Sequence, residues 1–150
     1  MPNILIKVPQ GVFSHKQMQA LSQSVNHAAA AAEQIPADPK KRFLCWVAID
    51  EVASGLFTCG AADMTQHVLP CIAMVYAPFG VLDGASRASY VDAIHAAFVS
   101  ALAPDEKRQI ATSVVLHEIP EGQWGANGAI WRLPDFAKAA GYEHLQTLVH

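Results

Sequence analysis

The chain repeats itself, and the repeat limits what it can fold into. The run Pro2-Asn3-Ile4-Leu5-Ile6-Lys7-Val8 is answered by Pro70-Cys71-Ile72-Ala73-Met74-Val75-Tyr76. Each run leads into a glycine, Gly11 and Gly80, and then into a helix start. Further on, Glu51 recurs as Glu118, Gly55 as Gly122 and Phe57 as Trp124, and the tails Cys59-Gly60-Ala61 and Asn127-Gly128-Ala129 align after one more inserted residue. A period of this size marks one supersecondary unit used twice.

The unit reads as strand, helix, strand. Ser14 with Gln17 forms a capping-box pattern, and Met18, Leu21, Val25, Ala28 and Ala32 follow as an apolar stripe at three- and four-residue steps. Asp83 caps the second helix, whose stripe is Tyr90, Val91, Ile94, Phe98 and Leu102. Pro36 and Pro104 end the two helices. The closing strands are expected at Phe43 to Val52 and Thr112 to Ile119. A helical crossover makes the two strands of a unit parallel and its connection right-handed. The expectation is therefore one α/β (α+β) domain over residues 1–150: units of about 2–61 and 70–131, and a short tail over 132–150. Its sheet has four strands, with two helices on one face.

The strands look apolar on both faces, which fits a sheet whose bare face is also covered. Nothing else in the chain is long enough to cover it. Of the residues 52% are hydrophobic and only 15% charged, against the usual quarter, so a surplus of apolar surface is left for an oligomer interface. The net charge of −3 gives no basic footprint for nucleic acid. No apolar run reaches the length of a membrane span, and no signal peptide precedes the first strand. Cys45, Cys59 and Cys71 lack metal-ligand spacing and cannot all pair, which fits a reducing, cytoplasmic setting. The seven histidines show no metal-binding spacing, so neither metal nor cofactor is expected.

The Met1-Pro2 start, the doubled β-α-β unit and the segment Glu118-Ile119-Pro120-Glu121-Gly122-Gln123-Trp124-Gly125-Ala126-Asn127-Gly128 resemble the tautomerase superfamily, in its fused 4-oxalocrotonate tautomerase type. The resemblance covers roughly residues 2 to 131. It implies a tautomerase/MIF-like fold, removal of Met1, and a free Pro2 amine that moves a proton between carbon and oxygen of a small enol or keto acid. An α-amino group titrates near 8, and an apolar pocket lowers that toward neutrality, where it serves as a base. Pro70 matches by repeat, but its nitrogen lies in a peptide bond.

The resemblance also implies an aromatic wall at Phe57, with Trp124 as its repeat partner. The family's arginine after the first strand is replaced by Val12 and Val81, and the one in the closing strand by Trp46 and Ser113. Without those forked donors a two-carboxylate substrate loses its clamp. Trp46 fills one arginine position, and Arg42 and Arg108 stand just before the closing strands as candidate anion binders. The substrate-binding candidates are thus Phe57, Trp124, Trp46, Arg42 and Arg108, around Pro2 as catalytic base. Two other readings stand beside a tautomerase. One is a related proline-dependent hydratase, decarboxylase or dehalogenase, with Glu51, Glu118 or Glu121 as a generic acid. The other is a non-catalytic ligand-binding oligomer. Because unfused relatives associate as six short chains, two fused units imply a homotrimer.

Overall fold

Strand β1 (Asn3–Pro9) alternates from Asn3 to Val8: Ile4, Ile6 and Val8 are fully buried, whereas Leu5 is 38% exposed. In the computed structural model, which describes residues 1–150, β1 has one face covered and is a central strand, paired along both of its edges. Helix α1 (His15–Glu33) follows, closed at its start by the capping box: Gln17 N–H donates to Ser14 Oγ at 3.1 Å and Ser14 N–H to Gln17 Oε1 at 2.7 Å. A short helical turn, α2 (Pro39–Arg42), leads to β2 (Trp46–Val52), which lies parallel to β1. The second unit repeats the order as β3 (Val68–Pro78), α3 (Gly84–Ala101) and β4 (Gln109–Ile119). Helix α3 carries the same reciprocal cap, with Ser86 N–H donating to Asp83 Oδ1 at 2.7 Å and Asp83 N–H to Ser86 Oγ at 2.8 Å.

The sheet order is β2-β1-β3-β4; β1 and β3 are antiparallel and each unit's own pair is parallel. Helices α1 and α3 cover one face and bury Leu21, Val25, Tyr90, Ile94 and Phe98 against Ile4, Ile6, Val8, Ala73 and Val75. This is the four-stranded mixed sheet with two helices that the repeat implied. The opposite face is open. Ala48, Leu5, Met74 and Val115 (49% exposed) form an apolar row across the four strands in register, Trp46 (56%) lies two residues from Ala48 on the same face, and Tyr76 stacks on His117 beside it.

Three details differ from the reading of the sequence. The first closing strand begins at Trp46 rather than Phe43, because Asp38 accepts from Lys40 N–H, Pro39 sits at the first helical position, and the amides of Phe43, Leu44 and Cys45 turn back to carbonyls of α2. The second begins at Gln109, three residues early. The tails need no inserted residue. Cys59 bridges Ala62, and β5 (Gly125–Ala126) pairs with β6 (Ala129–Ile130) through Ala126 and Ala129. Each hairpin turns on two residues of positive φ: Gly60 (59°) and Ala61 (66°), then Asn127 (50°) and Gly128 (81°). That pair of angles is the two-residue turn that matches strand twist, so Cys59 is the counterpart of Ala126.

The tail is more than an addition. Helix α4 (Leu133–Ala140) and a 3₁₀ turn (Glu143–Leu148) bring Phe136, Ala137, Ala140 and Tyr142 into the core. No helix is long and apolar enough to cross a membrane.

Candidate active site at the head of the central strand

Pro2 is buried where β1 begins, and its carbonyl accepts from Trp46 N–H at 3.0 Å. Because β3 runs antiparallel to β1, its far end reaches the same place: Asn3 faces Tyr76 across the pair. The segment after β4 follows it there. A cleft of about 220 Å³ lies between Asn3, Tyr76, Ile119, Gln123 and Trp124. A second, of about 280 Å³, lies between Asn3, Leu5, Trp46, Ala48 and Tyr76. Trp124 is held edge-on against Phe136 of α4, ring centroids 5.3 Å apart. The head of β1 is thus flanked by Trp46 on one side and Trp124 on the other.

Phe57 and Arg108 stand elsewhere. They line a small cleft of about 60 Å³ with Pro9, Gln10 and Val12, at the tail of β1. Six steps of roughly 3.3 Å from Asn3 to Pro9 separate the two ends by about 20 Å within one chain. Arg108 is also engaged. Its guanidinium donates to both carboxylate oxygens of Glu106 at 2.8 Å and to the Thr65 carbonyl at 2.9 Å. This forked pairing holds the Glu106 carboxyl down at about 2. Arg42 belongs to the Pro2 end, just ahead of Cys45, with its Nε–H donated to the Pro36 carbonyl at 3.1 Å. No group of three or more His, Cys, Asp or Glu side chains is placed to hold a metal ion.

Beneath Pro2 lies a polar cluster that the sequence reading passed over. Glu33, the last residue of α1, is fully buried. Its Oε2 accepts from the Met1 amine at 3.1 Å and its Oε1 from the Tyr90 hydroxyl at 3.2 Å. The Tyr142 hydroxyl bonds the same amine. Burial pushes the amine below its ordinary value, and the Glu33 carboxylate opposes that shift. Burial likewise raises both tyrosines well above theirs, with Glu33 adding to it, and drives the adjacent Cys45 thiol up to about 12. A signal for Glu33 was present in the sequence: it falls four residues after Ala29 on the apolar face of α1, where a carboxylate has no place unless it is paired.

Comparison with solved structures places this architecture. A crystal structure of native fused 4-OT superposes with a TM-score of 0.68 at 16% identity, covering 85% of this chain and 94% of that one. A fused 4-OT described as a wild-type symmetric trimer gives 0.65 at 22% identity, covering 92% and 98%. Macrophage migration inhibitory factor from Toxoplasma gondii gives 0.62 at 16% identity, covering 86% and 99%. No family model matches the chain, and no curated protein does. The chain has the tautomerase fold, in the two-unit form of the fused 4-oxalocrotonate tautomerases.

Proposed function

We propose that this chain is a proline-dependent keto–enol tautomerase acting on a small carbonyl or enol acid. The observation that carries the reading is the place of Pro2: buried at the head of the central strand of a tautomerase fold, next to Asn3, which lines both the Trp46 cleft and the Trp124 cleft. With Met1 removed, its nitrogen is a secondary amine in a setting that disfavours the ammonium, so it acts as a base near neutral pH. It takes a proton from the enol oxygen or the adjacent carbon and returns it to the other atom. Trp124 and Trp46 each wall one of the two clefts that meet at Asn3 and Tyr76, and Arg42, just ahead of Cys45, is the candidate cation. Hydration, decarboxylation or dehalogenation would need a water-activating acid. Glu51 accepts from Gly11 N–H at 3.0 Å and Glu121 lies 3.7 Å from Arg132, while Glu118 accepts from Arg87 at 2.7 Å through Oε2 and leaves its buried Oε1 without a partner, so Glu118 is the candidate acid for that alternative.

The working unit in this proposal is a homotrimer. Fused 4-OT structures are described as trimers, and the row Ala48–Leu5–Met74–Val115, with Trp46 beside it, is the apolar face that a trimer of this chain would bury. Phe57 and Arg108 could then approach a Pro2 only across a subunit boundary. Three free thiols fit a reducing, cytoplasmic setting.

The test is enol-to-keto conversion of phenylenolpyruvate by protein shown by mass to begin at Pro2. Pro2→Ala is expected to lower the rate by about 10²-fold or more while leaving the fold intact. Full activity in that variant, or in protein that retains Met1, would refute the reading. An inactive, correctly processed protein would instead mark a ligand-binding oligomer. That second reading is favoured by Val12 and Trp46 standing where the family carries arginines.

A further inference from the structure

We propose that Glu33 is the ion-pair partner of the Pro2 amine, held in place for that role by the Tyr90 hydroxyl. The proposal rests on the reading of Pro2 as the reactive amine, and adds to it the group that governs the amine's charge.

Glu33 is the one charged side chain fully buried in the chain. A carboxylate taken out of water is costly unless a cation and hydrogen bonds compensate it. Its position makes matters worse, because it ends α1, where the helix dipole is negative. Every element packed against it contributes a neutral or acidic group: Tyr90 from α3, Tyr142 from the tail, and Cys45 from the segment before β2. The nearby Arg42 spends its Nε–H on Pro36. The cation that meets Glu33 is the terminal amine, at 3.1 Å.

In the full chain that amine belongs to Met1. Adjacent Cα atoms are about 3.8 Å apart, so the Pro2 nitrogen sits within about 4 Å of the same spot. Loss of Met1 transfers the charge by one residue, and a small shift of the freed terminus into the space Met1 leaves brings the new amine to Glu33. The buried room Met1 occupies, at 6% exposure, becomes space beside the new amine, lined by Glu33 and the Tyr142 hydroxyl. In the reaction the neutral Pro2 amine accepts the substrate proton, and the resulting ammonium pairs with Glu33. The same proton then returns to the substrate at its second position, so nothing is consumed. A carboxylate in this wall repels carboxylates. The end of the substrate that approaches the amine is therefore its carbonyl or enol, and its acid group faces away from Glu33.

The experiment uses chain shown by mass to begin at Pro2, labelled with ¹⁵N-proline. The Pro2 amine is titrated by NMR in wild type, Glu33→Gln and Glu33→Asp, alongside kcat/KM against pH. Removing the carboxylate withdraws support from the ammonium. Glu33→Gln is therefore expected to lower the amine pKa by about one unit or more, and to move the acid limb of kcat/KM to lower pH by the same amount. Glu33→Asp keeps the charge one methylene farther away and is expected to give about half that shift, which keeps the test open if the amide variant does not fold. An amine pKa unchanged in both variants overturns the pairing. A shifted pKa in a protein whose activity survives Pro2→Ala leaves the pairing standing and removes the catalytic reading instead.

Discussion

The backbone N–H of Trp46 donates to the Pro2 carbonyl at 3.0 Å, while the Trp46 indole stands 56% exposed on the open face of the sheet. One residue thus fastens the strand that carries the candidate base and walls the cleft beside it. It cannot donate to a carboxylate in a forked geometry. A muconate-type diacid is therefore expected to show a kcat/KM at least about 10²-fold below that of phenylenolpyruvate, the size of one lost charge-assisted contact or two. Equal steady-state values for the two substrates would mean that other donors clamp the second carboxylate.

Met74 lies in the middle of that open face, paired with Leu5 on one side and Val115 on the other. A lysine there places a charge where a neighbouring subunit would seat. Met74→Lys is expected to turn a trimer into monomers in light scattering, with little loss of secondary structure, since the side chain is not part of the buried core. A wild-type protein that is a stable monomer at micromolar concentration would end the trimer proposal.

Ala61 holds a φ of 66° in the first hairpin turn, where its counterpart in the second is Gly128 at 81°. An L-residue pays about 1 kcal/mol or more in this region, and glycine returns part of that as chain entropy. Ala61→Gly is expected to stabilise the fold by about 0.5–1 kcal/mol, seen as a rise of a few degrees in Tm. A lower Tm would show that the methyl group makes a contact that outweighs the strain.

Cys45 and Cys71 are buried, and burial pushes both thiols up to about 12; Cys59 is exposed. At pH 8 the folded protein is expected to give one fast equivalent with an aromatic disulfide reagent and two more only after denaturation. Three fast equivalents would mean that the segment before β2 and the start of β3 open readily.

Much of the fold was legible in the residues because its signals are local. Ser14 and Gln17 close a cap across three residues, and a unit repeated in sequence is repeated in space. The start of β2 was not legible from Phe43 onward. Phe43 and Leu44 have strand-like side chains, and only the cap at Asp38 keeps them in a turn.

The sequence by itself determined the two β-α-β units, the helix caps and Pro2 at the head of a strand. Tertiary structure alone decided which residues stand near Pro2. The antiparallel pairing of β1 with β3 carries Trp124 to the head of β1 and leaves Phe57 and Arg108 about 20 Å away at its tail, although the repeat makes Phe57 and Trp124 counterparts. It also gathered Glu33, Tyr90 and Tyr142, residues far apart in the chain, around one amine. Sequence spacing encodes neighbours along a helix or strand. Neighbours across the sheet and from the tail exist only once the apolar faces have packed, because burial is what brings those polar groups together and obliges them to pair.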